Sequence, residues 1–304
     1  MSEHRFLHVE SPARIGLDTG RLCIRTEGRE PWFGCVEDIA ALSLSDPAIT
    51  ISTQALRTLA ENGAVVLVND ASHLPVALAY PMQASTLAAG RIRRQAEWRV
   101  AHPDHAGVLW AEVVHAKLRM QGETLKQCGL NGHLRLFRLA DRVEPNDSSN
   151  LEAQGARHYW KHLFGGDFRR NKRDATDHLN HKLNYGYAVL RALVARHLAL
   201  AGLEPALGIQ HASGVNRFNL ADDLMEPFRP LVDAIVCERL LEEAPLGRDE
   251  KRALIGLIEH SVIMSDGREY RLHAAMDTMI ASLVRAMEAN RALVLPTRCR
   301  NGGQ

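Results

Sequence analysis

Hydrophobic and polar residues alternate in short segments over the first 80 residues of the chain. The segments Ala13–Asp18 and Arg21–Thr26 flank a Thr19-Gly20 turn, which is the pattern of a β-hairpin. Other short runs predict strands at residues 39–45, 48–52, 64–68 and 74–80, and a helix at residues 53–62. We therefore expect residues 1–80 to form a small β-rich domain.

Beyond Pro81 the hydrophobic residues recur at the spacing of an amphipathic helix. Predicted helices cover residues 84–100, 107–127, about 133–143, a segment from 149, 174–202, a segment from 221, 248–260 and 270–288. Pro227 and Pro230 each remove a hydrogen bond within the helix that starts at 221, so we expect a kink there. The tail after Pro296 is expected to be mobile. The predicted fold class is α+β, with residues 81–304 forming a larger all-α domain.

The composition is that of an ordinary globular protein, with 304 residues, 46% hydrophobic and 24% charged. Two domains are the default at this length. The chain has no apolar run of roughly 20 residues and its N-terminus has no apolar core of a signal peptide, so we expect a cytoplasmic protein. Five widely spaced cysteines without a C-x-x-C pair indicate free thiols.

The net charge is only +1, but the basic residues are unevenly distributed. Such groups are either solvated faces or contacts for the phosphates of a nucleic acid. One cluster contains Arg91, Arg93, Arg94 and Arg99, and the other contains Arg169, Arg170, Lys172 and Arg173.

A histidine and several acids lie close together between residues 208 and 230. His211 precedes the flexible Ser213-Gly214 pair, and Asp222, Asp223 and Glu226 follow on a predicted helix. Asp223 and Glu226 are three residues apart and therefore share a helix face. Imidazole and carboxylate groups are ligands for a divalent metal such as Mg²⁺ or Mn²⁺. The alternative is a loop histidine followed by acids that the positive end of the helix dipole favours.

Glu152 is a second acid with two interpretations. It lies three residues after Ser149 in a loop that precedes a helix, which is the spacing of a capping box. Elsewhere the chain contains no P-loop, no G-x-G-x-x-G motif and no nucleophile elbow. Nucleotide-driven and serine-hydrolase functions are therefore not the first choices.

Several long motifs resemble one family over almost the whole chain. They are LNYGYAVLRALVARHLALAGLEPALGIQH, DDLMEPFRP, EDIAALSLSDPAITIS, ALRTLAENGAVVLVND and HLPVALAYP. Together with a β-rich domain followed by a helical one, they are similar to the catalytic integrase subunit of CRISPR adaptation, in the branch that accompanies type II systems. This family inserts new spacers at CRISPR repeats.

The resemblance implies roles for individual residues. Glu152 matches the metal-binding glutamate at the start of a helix, in the segment that ends at Tyr159. His211 matches the family's histidine ligand, and Glu226 matches its last acidic ligand. Asp223 matches an acid near the metal, while Asp222 is expected to face solvent. Pro227 stands where many relatives carry a second glutamate, which leaves Glu226 as the candidate at that position.

The resemblance also implies the chemistry and the partners. The 3′-hydroxyl of a short double-stranded DNA fragment attacks a phosphodiester at the border of a CRISPR repeat, with Mg²⁺ or Mn²⁺ held by Glu152, His211 and Glu226. His211 would bind as a neutral imidazole, so activity is expected to fall in acid. Arg169, Arg170, Lys172 and Arg173, and also Arg91 and Arg94, are expected to contact the DNA backbone.

The resemblance further implies a homodimer joined through the β-rich domains, with two such dimers bridged by a small second CRISPR adaptation subunit into a heterohexamer. Two other functions remain open from the sequence. One is a stand-alone metal-dependent DNase or branched-DNA resolvase that uses the same ligands with water as the nucleophile. The other is a non-catalytic DNA-binding scaffold.

Overall fold

The computed structural model of the protein describes residues 5–70, 75–79, 81, 88–172, 177–240, 244–289 and 291–300. Arg173, residue 80 at the end of the predicted β-rich domain, and residues 84–87 at the start of a predicted helix lie outside the described residues.

Two small sheets and one α-helix form most of the described N-terminal part. The elements are β1 (Arg5–Val9), β2 (Ala13–Asp18), β3 (Arg21–Thr26), β4 (Trp32–Gly34), β5 (Ile39–Leu44), β6 (Thr50–Ile51), α1 (Thr53–Glu61), β7 (Val65–Asn69) and β8 (Pro75–Ala79). The strand order is β1-β5-β7-β8 in one sheet and β4-β3-β2-β6 in the other. The β2–β3 hairpin is confirmed, and both of its turn residues, Thr19 and Gly20, have positive φ.

The rest of the chain is mostly helical, as the sequence predicts. Its helices are α2 (Ala88–Ala101), α3 (Pro103–Gln127), α4 (His133–Ala140), α5 (Leu151–Leu163), α6 (His178–Leu200), α7 (Asn219–Met225), α8 (Arg229–Arg239), α9 (Arg248–Ile255) and α10 (Leu272–Ala289). Helix α6 is buried on nearly all faces, and α3 packs against α4, α5 and α8. These two helices therefore form the centre of the hydrophobic core.

A three-stranded sheet in this second part corrects the prediction of an all-helical domain with a mobile tail. Strands β9 (Ser261–Met264), β10 (Glu269–Arg271) and β11 (Pro296–Arg300) pair in the order β10-β9-β11. The hairpin between β9 and β10 turns at Gly267, which has a φ of 81°. Residues 296–300 of the tail are structured because β11 pairs with β9 and the Thr297 hydroxyl donates to the Ile263 carbonyl. Residues 301–304 lie outside the described residues.

The predicted kink near Pro227 is confirmed. Helix α7 ends at Met225, residues Glu226–Phe228 form one 3₁₀ turn, and α8 begins at Arg229. Because Pro227 has no N–H, it cannot continue the α-helical hydrogen bonding. The side chain of Glu226 consequently projects from the junction between two helices that pack on α6.

Close contact between α5 and α3 positions Glu152. A Cβ atom built on Gly155 would lie 2.1 Å from Leu118 Cδ2, so the glycine allows the two helices to approach. Leu118 is fully buried and follows Lys117 on α3. The first turn of α5 therefore lies beside the middle of α3.

None of the helices in the described ranges is both long and apolar enough to cross a membrane.

Candidate active site

The amino group of Lys117 joins the two glutamates that the sequence singles out. Lys117 Nζ on α3 lies 2.6 Å from Glu152 Oε1 on α5 and 2.5 Å from Glu226 Oε2 at the α7–α8 junction. Lys117 is 8% exposed. Although burial alone would lower its pKa, Glu226 and Glu152 raise it above its ordinary value. Lys117 is therefore a buried ammonium between two carboxylates.

Glu226 is the more deeply buried of the two carboxylates, with 4% of its surface exposed. Burial would raise its pKa, but Arg229 and Lys117 outweigh that effect and hold the pKa at about 2. Arg229 Nε lies 3.0 Å from Glu226 Oε1. The other oxygen, Oε2, lies 2.5 Å from Lys117 Nζ in a charge-assisted contact. Glu226 is thus a buried anion with one cation beside each of its two oxygens.

Glu152 does not form the capping box that its distance from Ser149 suggested. The first residue outside α5 is Asn150, in the left-handed conformation, and its side chain makes no capping hydrogen bond. Asp147 caps the helix instead, since its carboxylate accepts hydrogen bonds from the backbone N–H groups of Leu151 and Glu152. The Glu152 side chain is therefore available to Lys117 and to a ligand.

His211 is oriented by Asp223. Asp223 is fully buried; its Oδ1 accepts from His211 Nδ1 at 2.6 Å and from the His211 backbone N–H. Its Oδ2 accepts from the backbone N–H groups of Ile209 and Gln210. A carboxylate with these donors is an acceptor, so Nδ1 carries the proton and Nε2 holds the free lone pair. The hydrogen bond to Asp223 raises the pKa of His211 above its ordinary value, although burial opposes this.

Both oxygens of Asp223 are committed to the loop that carries His211. Asp223 therefore supports the histidine and is not placed as a metal ligand. It lies beside His211, within hydrogen-bond distance of the imidazole. Asp222 departs from the prediction that it faces solvent. It is partly buried, accepts a hydrogen bond from Asn216 Nδ2 and lies 3.9 Å from an Arg191 nitrogen.

His211 and Glu226 line one polar cavity of about 320 Å³. The side chains around it are mainly basic or hydrogen-bonding, which suits a ligand with negative charge. These basic and hydrogen-bonding side chains are Arg170, Lys172, Asn184, Tyr187, Arg191 and Arg229, and the remaining lining residues are Asp222, Ala188 and Met225.

A buried network lies next to this cavity and ties three helices together. Asp233 on α8 accepts hydrogen bonds from the hydroxyl of Tyr159 on α5, at 3.0 Å, and from that of Tyr187 on α6. The guanidinium groups of Arg170 and Arg229 lie 5.1 and 4.7 Å from the Tyr187 ring centroid. Arg229 therefore contacts Glu226 on one side and Tyr187 on the other.

The predicted DNA-contacting residues have different environments. Arg169 is exposed, whereas Arg170 is half-buried and donates to Asn180 Oδ1 and Asn184 Oδ1. Lys172 is exposed and lines the cavity. Arg170 and Lys172 thus reach the site that contains His211 and Glu226, while Arg169 lies in the same segment on the surface.

Arg91 and Arg94 lie on α2 and line a different cavity. Arg91 donates to the Ala201 carbonyl at the end of α6, and an Arg94 nitrogen lies 3.6 Å from a Glu288 oxygen. Of the two other basic residues on this helix, Arg93 pairs with Glu97 and Arg99 donates to the Gly208 carbonyl. Much of this basic cluster is therefore engaged with the protein itself.

In the part of the chain that the structure describes, no group of three or more His, Cys, Asp or Glu side chains is placed to hold a metal ion. The donor types at the site nevertheless fit a divalent cation, because two carboxylates and the Nε2 of His211 are oxygen and nitrogen ligands. The ammonium of Lys117 occupies the space between the two carboxylates in this arrangement.

Sequence reasoning did not identify Lys117, Arg229, Tyr187 or Asp233. The signal for Lys117 was its spacing, four residues after Val113 and three before Met120, which places a charged residue on the buried stripe of α3. A buried lysine needs a charged partner, so this position indicates acids from other helices nearby.

A model of one protein family matches residues 7–245, and the family is described as CRISPR associated protein Cas1. The chain is 35% identical over 284 residues to the CRISPR-associated endonuclease Cas1 of Neisseria meningitidis serogroup C (strain 8013), which covers 91% of this chain and 90% of that protein. It is 33% identical over 246 residues to a CRISPR-associated endonuclease Cas1 of Pyrobaculum aerophilum, covering 76% and 80%.

Solved structures with the same fold include a casposase bound to integration product, with a TM-score of 0.76 and 18% identity over 97% of this chain and 93% of that chain. A Cas6-RT-Cas1–Cas2 complex matches with a TM-score of 0.70 and 19% identity, over 96% of this chain and 36% of that chain. The resemblance that the sequence motifs carry is confirmed by the family model and by the Neisseria relative. The chain belongs to the Cas1 family of CRISPR-associated proteins.

Proposed function

We propose that the protein is a divalent-metal-dependent DNA integrase that inserts short DNA fragments as new spacers at CRISPR repeats. The observation that carries the proposal is the convergence of Glu152 and Glu226 on Lys117, beside a cavity that His211 shares with several basic side chains. Carboxylates and an imidazole next to a basic cavity fit a site for a phosphodiester and a metal ion. The similarity in fold to a casposase bound to integration product supports the same function.

Glu152, Glu226 and the Nε2 atom of His211 would hold Mg²⁺ or Mn²⁺. When bound, such a cation neutralises charge on a phosphate oxygen and lowers the pKa of an attacking hydroxyl. Asp223 keeps His211 in the tautomer whose Nε2 is free. Arg229 holds Glu226 in place and, with Lys172, supplies positive charge to the phosphate that enters the cavity.

The proposed reaction is a transesterification. The 3′-oxygen of the fragment forms a bond to the phosphorus at the border of the repeat, and the bond from that phosphorus to the 3′-oxygen of the flanking strand breaks. The proton of the attacking hydroxyl is lost, and the leaving oxygen gains a proton. The number of phosphodiester bonds does not change, so the step needs no energy from a nucleoside triphosphate.

DNA binding is proposed to rest mainly on backbone contacts, since captured fragments vary in sequence. Arg169 is the exposed member of its basic segment, whereas Arg170 also supports Asn180 and Asn184. We expect Arg169→Ala to weaken binding to duplexes of different sequence by similar factors and to reduce the salt slope by about 1, measured by fluorescence anisotropy between low and moderate salt. The same salt slope as the wild type would refute a phosphate contact at Arg169.

The proposed assembly has double-stranded DNA, a second copy of the chain and the small second adaptation subunit as partners. Residues 1–80 are proposed as the dimerisation domain and residues 81–304 as the catalytic domain. A relative of the same fold occurs in a complex with Cas2, which supports that subunit as the partner. The heterohexamer, two dimers bridged by this subunit, is part of the proposal.

The test is an integration assay with the purified partner, a supercoiled plasmid that carries a CRISPR repeat, and a short duplex in Mn²⁺. The proposal expects covalent joining of duplex to plasmid, and no joining with a duplex that ends in 3′-dideoxynucleotides. Glu226→Ala should bind DNA and fail to join it. A stand-alone DNase is the second candidate, since the curated relatives are named endonucleases. Nicked or shortened DNA without joined product would favour it.

A further inference from the structure

The charges in direct contact with the two candidate ligands are balanced within the protein itself. Glu152 and Glu226 contribute two negative charges, and Lys117 and Arg229 contribute two positive charges at 2.5–3.0 Å from their oxygens. Lys117 and Glu226 are both buried, so water screens these interactions poorly. A divalent cation between the same carboxylates would leave an excess of positive charge in a low-dielectric site.

Lys117 also competes directly for the carboxylate oxygens. Its ammonium approaches one oxygen of each glutamate, at 2.6 Å for Glu152 Oε1 and 2.5 Å for Glu226 Oε2. A lysine ammonium is a compact point charge on a flexible stem, so it can leave this position while the helix backbone stays fixed. The ammonium must move away from these oxygens before a metal ion can take them.

We propose that Lys117 is an internal counter-ion that makes metal binding conditional on DNA. The inference rests on the proposed function, since it takes Glu152 and Glu226 as metal ligands and a phosphodiester as the substrate group. When a DNA phosphate enters the adjoining cavity, its negative charge offsets the added charge of the cation and provides an alternative partner for Lys117. The protein therefore holds the catalytic cation tightly only together with DNA.

Thermodynamic reciprocity gives the proposal a measurable form. If DNA strengthens metal binding by a factor, the metal strengthens DNA binding by the same factor. We expect a coupling between about fivefold and 150-fold in the wild type. Removing the ammonium should strengthen metal binding in the absence of DNA and reduce the coupling, because the two glutamates then lose the one cation that they share.

The experiment measures Mn²⁺ binding by the electron paramagnetic resonance signal of the free ion, for the wild type and for Lys117→Met. Each protein is titrated alone and with a short duplex that ends in 3′-dideoxynucleotides, so no chemistry occurs, and the duplex alone is subtracted. The wild type should bind Mn²⁺ at least about fivefold more tightly with DNA. Lys117→Met should bind it about tenfold more tightly than the wild type without DNA, and gain less from the duplex.

Lys182→Met is the matched control, since Lys182 is also buried and donates to the Leu240 carbonyl, away from the candidate ligands. It should keep the wild-type coupling. Lys117→Met is expected to have a lower melting temperature in EDTA and to recover it in Mn²⁺, because a cation then replaces the missing charge. If Lys117→Met does not fold, the wild-type titration still tests the proposal, because it shows whether DNA strengthens Mn²⁺ binding.

Two results would overturn the proposal in different ways. Equal Mn²⁺ affinity of the wild type with and without DNA, or of Lys117→Met and the wild type without DNA, would refute the counter-ion role and leave the proposed integrase untouched. If Glu152→Gln and Glu226→Gln both bind Mn²⁺ with wild-type affinity in the presence of the duplex, the ligand assignment is wrong. The proposed function would then lose its metal site, and the role of Lys117 would fall with it.

Discussion

His211 and Asp223 illustrate how one buried carboxylate can serve a residue that lies in a different element. Asp223 on α7 accepts hydrogen bonds from the three backbone N–H groups of residues 209–211 and from the imidazole Nδ1. The loop and the ring are therefore fixed by a single side chain. Trp110 adds an edge contact, with ring centroids 5.9 Å apart. The orientation of His211 is thus set before any ligand binds.

Asp223→Asn should separate support of the histidine from ligation. The amide can donate as well as accept, so it no longer enforces the Nδ1–H tautomer. We expect Mn²⁺ affinity in the presence of DNA to fall by about 10- to 100-fold, as is usual for the loss of a partner that orients a ligand. Isothermal titration calorimetry with a non-reactive duplex would measure it.

Asp277→Asn is the matched control for this variant. It breaks another aspartate–histidine pair, in which Asp277 Oδ1 lies 2.6 Å from His197 Nδ1, and it lies at a different cavity. Its Mn²⁺ affinity should equal that of the wild type. The supporting role of Asp223 would be contradicted if both variants lost affinity equally, or if Asp223→Asn lost none.

At the residue scale, the sequence predicts the residues whose chemistry and motif indicate metal binding. It does not predict the charged residues whose role depends on their being buried against other helices. Glu152, His211 and Glu226 are the residues that the family motifs indicate. In the structure, Glu152 and Glu226 both contact Lys117. His211 and Glu226 line the same cavity. Lys117 and Asp233 were not predicted, because each sits within an apolar helix stripe where pairing partners come from helices distant in sequence. Such pairs depend on tertiary packing, which local spacing does not encode.

At the scale of elements, Asp233 links three helices that surround the site. Tyr159 from α5 and Tyr187 from α6 donate to a carboxylate on α8 that is 1% exposed. Burial raises the pKa of Asp233 to about 7, although the two tyrosine hydroxyls lower it in part. The unfolded chain therefore loses this proton near pH 4, and the folded protein keeps it up to about pH 7.

This difference predicts how the stability contribution of Asp233 changes with pH. Because the folded state binds more protons between about pH 4 and 7, the contribution is fully present below pH 4 and is lost as the pH rises through 7. Asparagine does not titrate, so Asp233→Asn should become more stable relative to the wild type as the pH increases over this range. Urea denaturation at pH 5 and pH 8 would measure both free energies of unfolding.

Asp167→Asn serves as the comparison, since Asp167 is exposed. Its free energy of unfolding relative to the wild type should change little between the two pH values. If the difference between Asp233→Asn and the wild type were the same at pH 5 and pH 8, Asp233 would not be the protonated group that holds the tyrosines.

The elements that sequence patterns predicted best are those with a strong local signal. The β2–β3 hairpin and the kink at Glu226 follow from a positive-φ turn and from Pro227, and both are confirmed. Strand β9 lies between the predicted helices 248–260 and 270–288, and β10 overlaps the start of the second. The sequence pattern does not predict either strand, because they are only four and three residues long. The Asp266-Gly267 pair between them is a hairpin signal that would have identified them.

At the scale of the whole molecule, both apolar and charged contacts attach the N-terminal sheets to the helices. Ala41, Val65 and Leu67 pack with Ala192 of α6. Glu10, just after β1, lies 2.7 Å from Lys251 Nζ of α9 and 3.4 Å from an Arg248 nitrogen. Lys251 is 3% exposed, so the loss of Glu10 would leave a buried ammonium without this carboxylate. The ion pair therefore couples the two parts of the chain.

Glu10→Gln tests this coupling through its dependence on pH. Burial opposes ionisation of Glu10, but Lys251 and His8 outweigh it and lower the pKa to about 2. The unfolded chain binds a proton near pH 4.5, so the stabilisation is present above that value and is lost as the pH falls toward 2. We expect the wild type to be more stable than Glu10→Gln at pH 7, and the difference to shrink between pH 5 and pH 3 in urea denaturation. The exposed Glu27→Gln should show no such trend. A difference that stays constant down to pH 3 would mean that the charge of Glu10 does not hold the sheet to α9.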